Sequence, residues 1–354
     1  MKIRGGDLDL VEFEFSSFRP GENIDTIGLE KNYILSPSPK PIHVTAPARV
    51  HLSVLDMNRF APGTPGGGGF GCALQIYCSV TVSCLPSDIV IDYSRPPLIE
   101  HFIQVFKKTV GYTGGFHVQA RDHNYLHIGL GSTSSIMMTL AIALNQAVGE
   151  PLTREDLRYL LGYNYVEETA DGSIAFGFET GVGPAATCYG GFVVLGDQLA
   201  LITRHEFASD KNVYIVIPDS NISSAGNEEF ELLMNKARTL DYRDREQKAY
   251  FVMMDMIPAL MRGDIARMGT TMWEIEFRGS KRAEIEHHSF ELYKYMHNIH
   301  QAGVEFVGMS SVGPSIVLIT EKDQKTVESI LKPLGLSITL VTSVDNQGAQ
   351  IQTG

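Results

Sequence analysis

Residues 127–135 read His-Ile-Gly-Leu-Gly-Ser-Thr-Ser-Ser and run straight into an apolar helical stripe. Gly129 and Gly131 permit backbone angles that residues with a Cβ resist, so several N–H groups can turn into one concavity. The stripe that follows, Ile136, Met137, Leu140, Leu144, Ala147 and Val148, recurs at helical spacing and stops at Gly149, which predicts a helix over 132–148. The positive N-terminal end of that helix and the hydroxyls of Ser132 and Thr133 would attract an anion. Leu130 and Ser134 complete a candidate phosphate-binding set at 129–134. No Gly-Lys-Ser/Thr follows, so this is not a Walker A loop, and it is not a clean Rossmann fingerprint. Taken alone, the stretch also reads as a plain helix entry with Ser132 as its N-cap.

The rest of the chain supplies a strand-rich first part and a helix-rich second part. Residues 44–56 and 72–84 alternate like strands around the glycine-rich turn Gly63–Gly71, which predicts a hairpin. A helix is expected over 98–110, a strand over 114–120, and a helix beginning at Thr153 with Asp156 in a capping-box variant. Strands are expected after Gly190-Gly191 and at 213–217, helices across 228–302, and a strand–loop–strand–helix–strand ending over 304–342. This order is α+β rather than a βαβ repeat. Residues 1–43 read as an N-terminal extension. Its alternating Pro37, Pro39 and Pro41 favour an extended strap.

With 354 residues the chain suits two domains around one cleft. The net charge of −12 argues against a nucleic-acid partner, while leaving a small anion open to local capture by backbone N–H groups. No apolar run is long enough to span a membrane and the start lacks a secretory pattern, so a cytoplasmic location is expected. Cys72, Cys78 and Cys84 share a parity that would put them on one strand face as small buried residues.

Three segments together point further. Ala46-Pro-Ala-Arg-Val-His-Leu52, Gly129-Leu-Gly-Ser-Thr-Ser-Ser135 and Gly308-Met-Ser-Ser-Val-Gly-Pro314 resemble, in order and separation, the three motifs of the GHMP kinase superfamily. The resemblance covers roughly 44–342. It implies a ribosomal protein S5 domain 2-like first domain at 44–207, a ferredoxin-like second domain at 208–354, and a site between them. It also exposes a departure. GHMP kinases usually place an Asp seven or eight residues before a Gly-Gly pair, often as the catalytic carboxylate. The matching positions before Gly190-Gly191 hold Val182 and Gly183, and no carboxylate lies between Glu179 and the pair. A kinase that needs a base for its hydroxyl substrate would lack it here.

A divergent branch resembles the chain more closely: the beta-ribofuranosylaminobenzene 5'-phosphate synthases. The likeness is carried by Arg49-Val-His-Leu, Leu55-Asp-Met-Asn58, His127-Ile-Gly-Leu-Gly-Ser132, Gly190-Gly-Phe192, Arg204-His-Glu-Phe207 and Gly308–Pro314. The branch joins phosphoribosyl pyrophosphate to a ring carbon of an aromatic acid, releasing carbon dioxide and pyrophosphate; related enzymes use heterocyclic acids. The chain departs from it in having Gly181-Val-Gly-Pro where an Arg-rich stretch is usual, and Gly131-Ser-Thr-Ser-Ser where Gly-Ser-Gly-Thr-Gln is usual. The resemblance implies a phosphorylated substrate and an aromatic acid as partners, magnesium as cofactor with unknown metal ligands, and is compatible with a homodimer. An ATP-dependent small-molecule kinase and an inactive binding protein of the same fold are the rival readings.

Within that frame Asp56 and His127 are the candidate catalytic residues, with Asn58 beside Asp56. Asp56 and Asn58 also fit a turn cap, and His127 a structural role. Arg49 and His51, two apart on one strand, are a candidate phosphate or carboxylate pair, or else a solvent face. Ser310, Ser311 and Gly313 are candidates for a second anionic group. Glu286, His287, His288, His297 and His300 suggest a metal cluster at first sight but suit a solvated helical face better, and Trp273 suits packing.

Overall fold

A computed structural model describes residues 2–4, 12–14, 16–123, 125, 129–169, 171–218, 236–311 and 313–353. Strands β1 (Lys2–Arg4) and β2 (Glu12–Glu14) pair antiparallel with each other. The strap then crosses the first domain. Ser36 and Ser38 donate their N–H groups to Val148 and Ala147 at 2.8 and 2.7 Å. Asn164 exchanges two hydrogen bonds with the backbone of Asp25.

β3 (Ile42–Val54) and β4 (Gly69–Leu85) form the expected hairpin, the spine of a seven-stranded sheet. β5 (Ile89–Asp92), α1 (Pro96–Val110), β6 (Gly115–Arg121), α2 (Ser132–Ala147) and α3 (Arg154–Tyr163) follow. α1 begins with two prolines and ends at Gly111 in the left-handed region, and its buried face carries Leu98, Phe102, Val105 and Phe106. Thr153 and Asp156 close the capping box of α3. Next come the small pair β7 (Val166–Glu168) and β8 (Ile174–Phe176), then α4 (Val182–Tyr189), β9 (Phe192–Leu195) and β10 (Leu201–His205). β9 and β10 extend the sheet beside the first part of β4, and β6 pairs with its second part.

The second domain begins with β11 (Asn212–Val216). α5 (Arg238–Phe251) leads through a π-helical turn into α6 (Ile257–Met261), followed by α7 (Ile265–Glu276), α8 (Gly279–His288) and α9 (Glu291–Gln301). β12 (Phe306–Met309), β13 (Ile316–Thr320), α10 (Gln324–Leu331) and β14 (Leu340–Thr342) complete an antiparallel sheet in the order β12-β13-β11-β14. β14 is shorter than the expected 336–342. The last strand, β15 (Gln350–Thr353), pairs with β3, so the tail of the range 208–354 returns to the sheet of the first domain. Among the described residues no helix is long and apolar enough to cross a membrane.

A register shift between Pro47 and Ala48 divides the hairpin between two cores. Ile42, Val44 and Ala46 pack with α1 and α2, whereas Ala48, Val50 and Leu52 pack against the second domain. Cys78 joins the first core and Cys72 the second, which corrects the expectation of one shared face. The shift that changes what β3 faces also separates the cysteines. The same change brings Arg49 and His51 to the junction of the domains.

Candidate functional site

The cleft at that junction encloses about 150 Å³. Arg49 and His51 line it from β3, Ser134 from α2, Glu179 and Gly183 from the approach to α4 and its first turn, and Ser311 from the second domain. One end is apolar, where Val54, Met57 and Phe60 cluster with Phe178, and the Phe60 and Phe178 rings meet edge to face at 5.5 Å.

The glycine-rich loop lies behind Arg49, one of the cleft's lining residues. The helix N-cap is Gly131, at φ +67°, not Ser132, and no side chain caps the helix. The loop is held in place by its own carbonyls. Leu130 accepts from the Arg49 N–H at 3.3 Å, and Gly129 accepts from Arg49 Nη1 at 2.9 Å and from the Ser310 hydroxyl at 2.8 Å. Leu130 is buried in the interdomain core, which anchors the turn. From the start of α2, Ser134 lines the cleft. An uncapped helix start of this kind is a ready anion site. Outside it, Arg95 donates to Thr133 Oγ1 at 2.8 Å, to Asp122 at 2.8 Å and to the Tyr93 hydroxyl at 2.6 Å.

The Arg49 guanidinium lies against Gly131, where an added Cβ would fall 2.5 Å from its Cζ. Its Nε is buried with no hydrogen-bond partner among the described residues. Burial lowers its pKa from the usual arginine value while Glu179 opposes the shift. The neighbouring His51 is pushed well below its ordinary value by burial and by the charges of Arg49 and Lys281, so it is neutral at pH 7. The two residues of the candidate pair thus differ: Arg49 is the cation, and His51 is a neutral ring whose Nε2 lies 3.5 Å from Thr180 Oγ1.

Three carboxylates line the cleft, Glu167, Glu179 and Glu284, and of these Glu179 is 6% exposed. Burial raises its pKa to about 7, against stabilising bonds from Gly181 and Thr180 N–H groups and the charge of Arg49. Its Oε1 accepts from Gly181 N at 2.7 Å, which fixes its direction. Tyr165 is driven well above 10 by burial and by Glu167 and Glu179, so it stays protonated, and it hydrogen-bonds Glu167, whose own pKa burial raises. Val182 and Gly183 stand where the resemblance places a GHMP kinase's Asp, and Gly183 has no room for a side chain: a Cβ there would fall 2.5 Å from Ser134 Oγ.

Two of the expected site residues have structural duties. The Asp56 carboxylate caps a short turn at Met57–Arg59, accepts from both Asn58 nitrogens at 2.9 and 3.1 Å, and meets Arg245 at 3.3 Å. Asn58 reaches the carbonyl of Arg238 on α5 at 3.1 Å. Met57, between them, lines the cleft; their own side chains are turned to α5. His127 lies outside the described residues.

From the second domain, the Ser310 hydroxyl is buried on Gly129, and Ser311 donates its N–H to the His51 carbonyl at 2.6 Å. Gly313 closes that turn through its N–H to Ser310 O at 3.0 Å. The loop is held from behind. Lys281 Nζ donates to the carbonyls of Met309 and Ser311 at 3.1 and 2.9 Å and pairs with Glu284 at 2.8 Å. Glu276, raised to about 8 by burial, accepts from Met309 N at 2.7 Å.

Among the described residues no group of three His, Cys, Asp or Glu side chains is placed to hold a metal ion. His297 and His300 instead pack on the Trp273 ring at 5.9 and 6.5 Å. Sequence reasoning missed Glu179, Tyr165, Arg95 and Lys281. The available signal was Glu179 itself, a lone acid in the otherwise uncharged stretch Gly172–Gly196.

Comparison with known proteins supports this fold. Residues 97–178 match the GHMP kinases N terminal domain. Homoserine kinase from Cytophaga hutchinsonii superposes with a TM-score of 0.63 at 17% identity, over 91% of this chain and 100% of that one. Mevalonate diphosphate decarboxylase from Staphylococcus aureus gives 0.62 at 15% identity, over 88% and 98%. The chain therefore has the GHMP kinase fold. In sequence it is similar to the beta-ribofuranosylphenol 5'-phosphate synthase of Methanothermobacter thermautotrophicus, 25% identical over 86% of this chain and 97% of the relative. The protein of the same name from Archaeoglobus fulgidus is also 25% identical, over 88% and 99%. Homoserine kinase of Halalkalibacterium halodurans is 24% identical over 73% of this chain and 80% of its own length.

Proposed function

We propose that the cleft binds phosphoribosyl pyrophosphate and a carboxylated aromatic ring, and joins ribose to ring through a carbon–carbon bond. The observation that carries this reading is Gly183, closed to any side chain by Ser134 where an ATP-dependent kinase needs its carboxylate, in a chain similar over most of its length to beta-ribofuranosylphenol 5'-phosphate synthases. The apolar end built from Val54, Met57, Phe60 and Phe178 suits a flat ring, and the start of α2 with Arg49 suits a phosphate.

In this chemistry the C1' bond to the leaving oxygen breaks and its electron pair departs with pyrophosphate. The ring carbon bearing the carboxylate bonds to C1'. The bond to the carboxylate then breaks, its electrons return to the ring, and carbon dioxide leaves. Arg49 and the α2 N–H groups would hold one anionic group of the donor, and Arg95 with Thr133 flanks the same helix start for the other. Tyr165 and the phenylalanines keep water from the ring. Magnesium would neutralise the departing pyrophosphate oxygens. This ion takes one or two carboxylates plus phosphate oxygens rather than a protein cage. Glu167 on the cleft wall would be the carboxylate to hold it.

The similarity to a homoserine kinase favours a second reading, phosphoryl transfer from ATP. Gly183 opposes it, and ATP is expected to give no phosphorylated product with any small alcohol, even if the triphosphate binds. Phosphorylation at ordinary enzyme rates would overturn that expectation. A thermal-shift screen with magnesium tests the donor: phosphoribosyl pyrophosphate should raise the melting temperature by mass action, by several degrees at saturation. No shift with this donor, alongside a shift with ATP, would favour the kinase.

A further inference from the structure

We propose that the N-terminal strap holds one wall of the cleft in place, with Phe18 and Asn164 as the positioning residues. The inference deepens the proposed function and rests on it only for which ligand meets that wall.

The wall runs from Tyr165 to Thr180 and gives the cleft Tyr165, Glu167, Phe178, Glu179 and Thr180. Its frame is the β7–β8 pair. These strands bond to each other and, among the described residues, to neither of the two larger sheets. Two strands of three residues each are marginal without further support. Val166 and Ile174 bury one side of the pair in the first core. The strap supplies the rest. Phe18 N donates to Ile174 O at 2.8 Å, and Ile174 N donates to Phe18 O at 3.1 Å, so the strap adds a third line of backbone beside β8.

Side chains carry this hold to the cleft. The Phe18 ring packs on Phe176 at 4.8 Å and on His101 of α1 at 5.6 Å. Phe176 in turn covers Gly63, where an added Cβ would lie 3.1 Å from the ring. Gly63 belongs to the turn that follows Phe60, and Gly66 of the same turn donates to the Glu179 carbonyl at 3.1 Å. Phe176 therefore joins the two chain segments that carry Phe60 and Phe178, the touching rings of the apolar end.

The second hold is at the other end of the wall. Asn164 is fully buried at the end of α3, next to Tyr165. Its Oδ1 accepts from Asp25 N at 2.9 Å, and its Nδ2 donates to Asp25 O at 2.7 Å and to Leu160 O at 2.8 Å. Only an amide gives and takes at once in this way; a carboxylate would set an acceptor against the Asp25 carbonyl. Between the two holds, Gly21 N donates to His101 Nδ1 at 3.3 Å. Arg49 and the start of α2 are fixed differently, through Gly129 and Ser310. Loosening the strap should therefore be felt by the aromatic ring and not by the phosphates.

The test uses the full-length protein and Asn164→Leu, which keeps the buried volume and removes both bonds to Asp25. Amide hydrogen exchange should quicken on the order of 10-fold in β7 and β8, the size of one net hydrogen bond, and stay unchanged in β3 and β4. With an aromatic acid that the wild type turns over, KM for the acid should rise about 10-fold, while kcat stays within about threefold and KM for phosphoribosyl pyrophosphate within about twofold. A merely structural role would move both KM values together or neither. Unchanged exchange in β7 and β8, equal shifts in both KM values, or no shift in either would overturn the proposal. If the wild type joins no ring to ribose, the proposed function falls, and the exchange measurement alone decides whether the strap holds the wall. Should Asn164→Leu not fold, Phe18→Leu removes the ring contacts of the other hold and should move the same readouts in the same direction.

Discussion

Replacing Asp241 by alanine should destabilise the protein by about 3–5 kcal/mol, a large share of the stability of an ordinary domain. Asp241 and Lys248 on α5 are both fully buried and pair at 2.5 Å. Asp241 also accepts from Met57 N at 2.8 Å and from Ser280 N, while Lys248 donates to the Val54 carbonyl at 2.9 Å. One ion pair thus ties the exit of β3, the turn at Met57 and the start of α8. Removing the carboxylate leaves a buried ammonium and two buried N–H groups without acceptors, which costs far more than the pair itself contributes. Urea denaturation reads the effect. A double variant, Asp241→Leu with Lys248→Met, should recover much of the loss, since neither charge then remains buried. A loss under about 1 kcal/mol for Asp241→Ala would mean that water reaches the pair. Because Val54 and Met57 line the apolar end of the cleft, the single variant should also weaken binding of the aromatic acid proposed to sit there.

Gly131→Val carries the second large effect. The new Cβ would fall 2.5 Å from Arg49 Cζ and Nε, at a φ of +67° that β-branched residues resist. The strain costs about 1–2 kcal/mol, which the fold can absorb, but the guanidinium must leave its place over the helix start. Affinity for phosphoribosyl pyrophosphate should fall about 100-fold or more, roughly the loss of two charge-assisted hydrogen bonds. Calorimetric titration, with circular dichroism as the check on folding, measures it. Unchanged affinity in a folded variant would remove the loop from the site.

Much of this arrangement could be read along the chain because its signals are local. The β3–β4 hairpin, α1, α2 and the capping box of α3 follow from periodicity and end residues within short windows. The glycine-rich loop and Arg49 are likewise short motifs. What escaped depends on distance. β15 pairs with β3 from some three hundred residues away, and nothing in its own sequence says so. α4 was hidden by Gly181, Gly183 and Pro184, residues that usually break helices but here give a short helix close access to α2 and β4. Asp56 stands in an Asp-x-Asn pattern that serves a site or a turn cap equally, and the geometry shows the cap. Glu179 was passed over because its chemistry comes from burial beside Arg49, which only the folded chain supplies.

The central claim is tested by one assay: full-length protein, phosphoribosyl pyrophosphate, magnesium and a panel of carboxylated aromatic and heteroaromatic rings, with pyrophosphate and carbon dioxide measured together. At least one ring should release the two in equal amounts and yield a ribosyl product that resists acid hydrolysis, as a carbon–carbon bond does. If a broad panel releases neither, or pyrophosphate alone, the synthase account is contradicted, and phosphoryl transfer or simple binding must take its place.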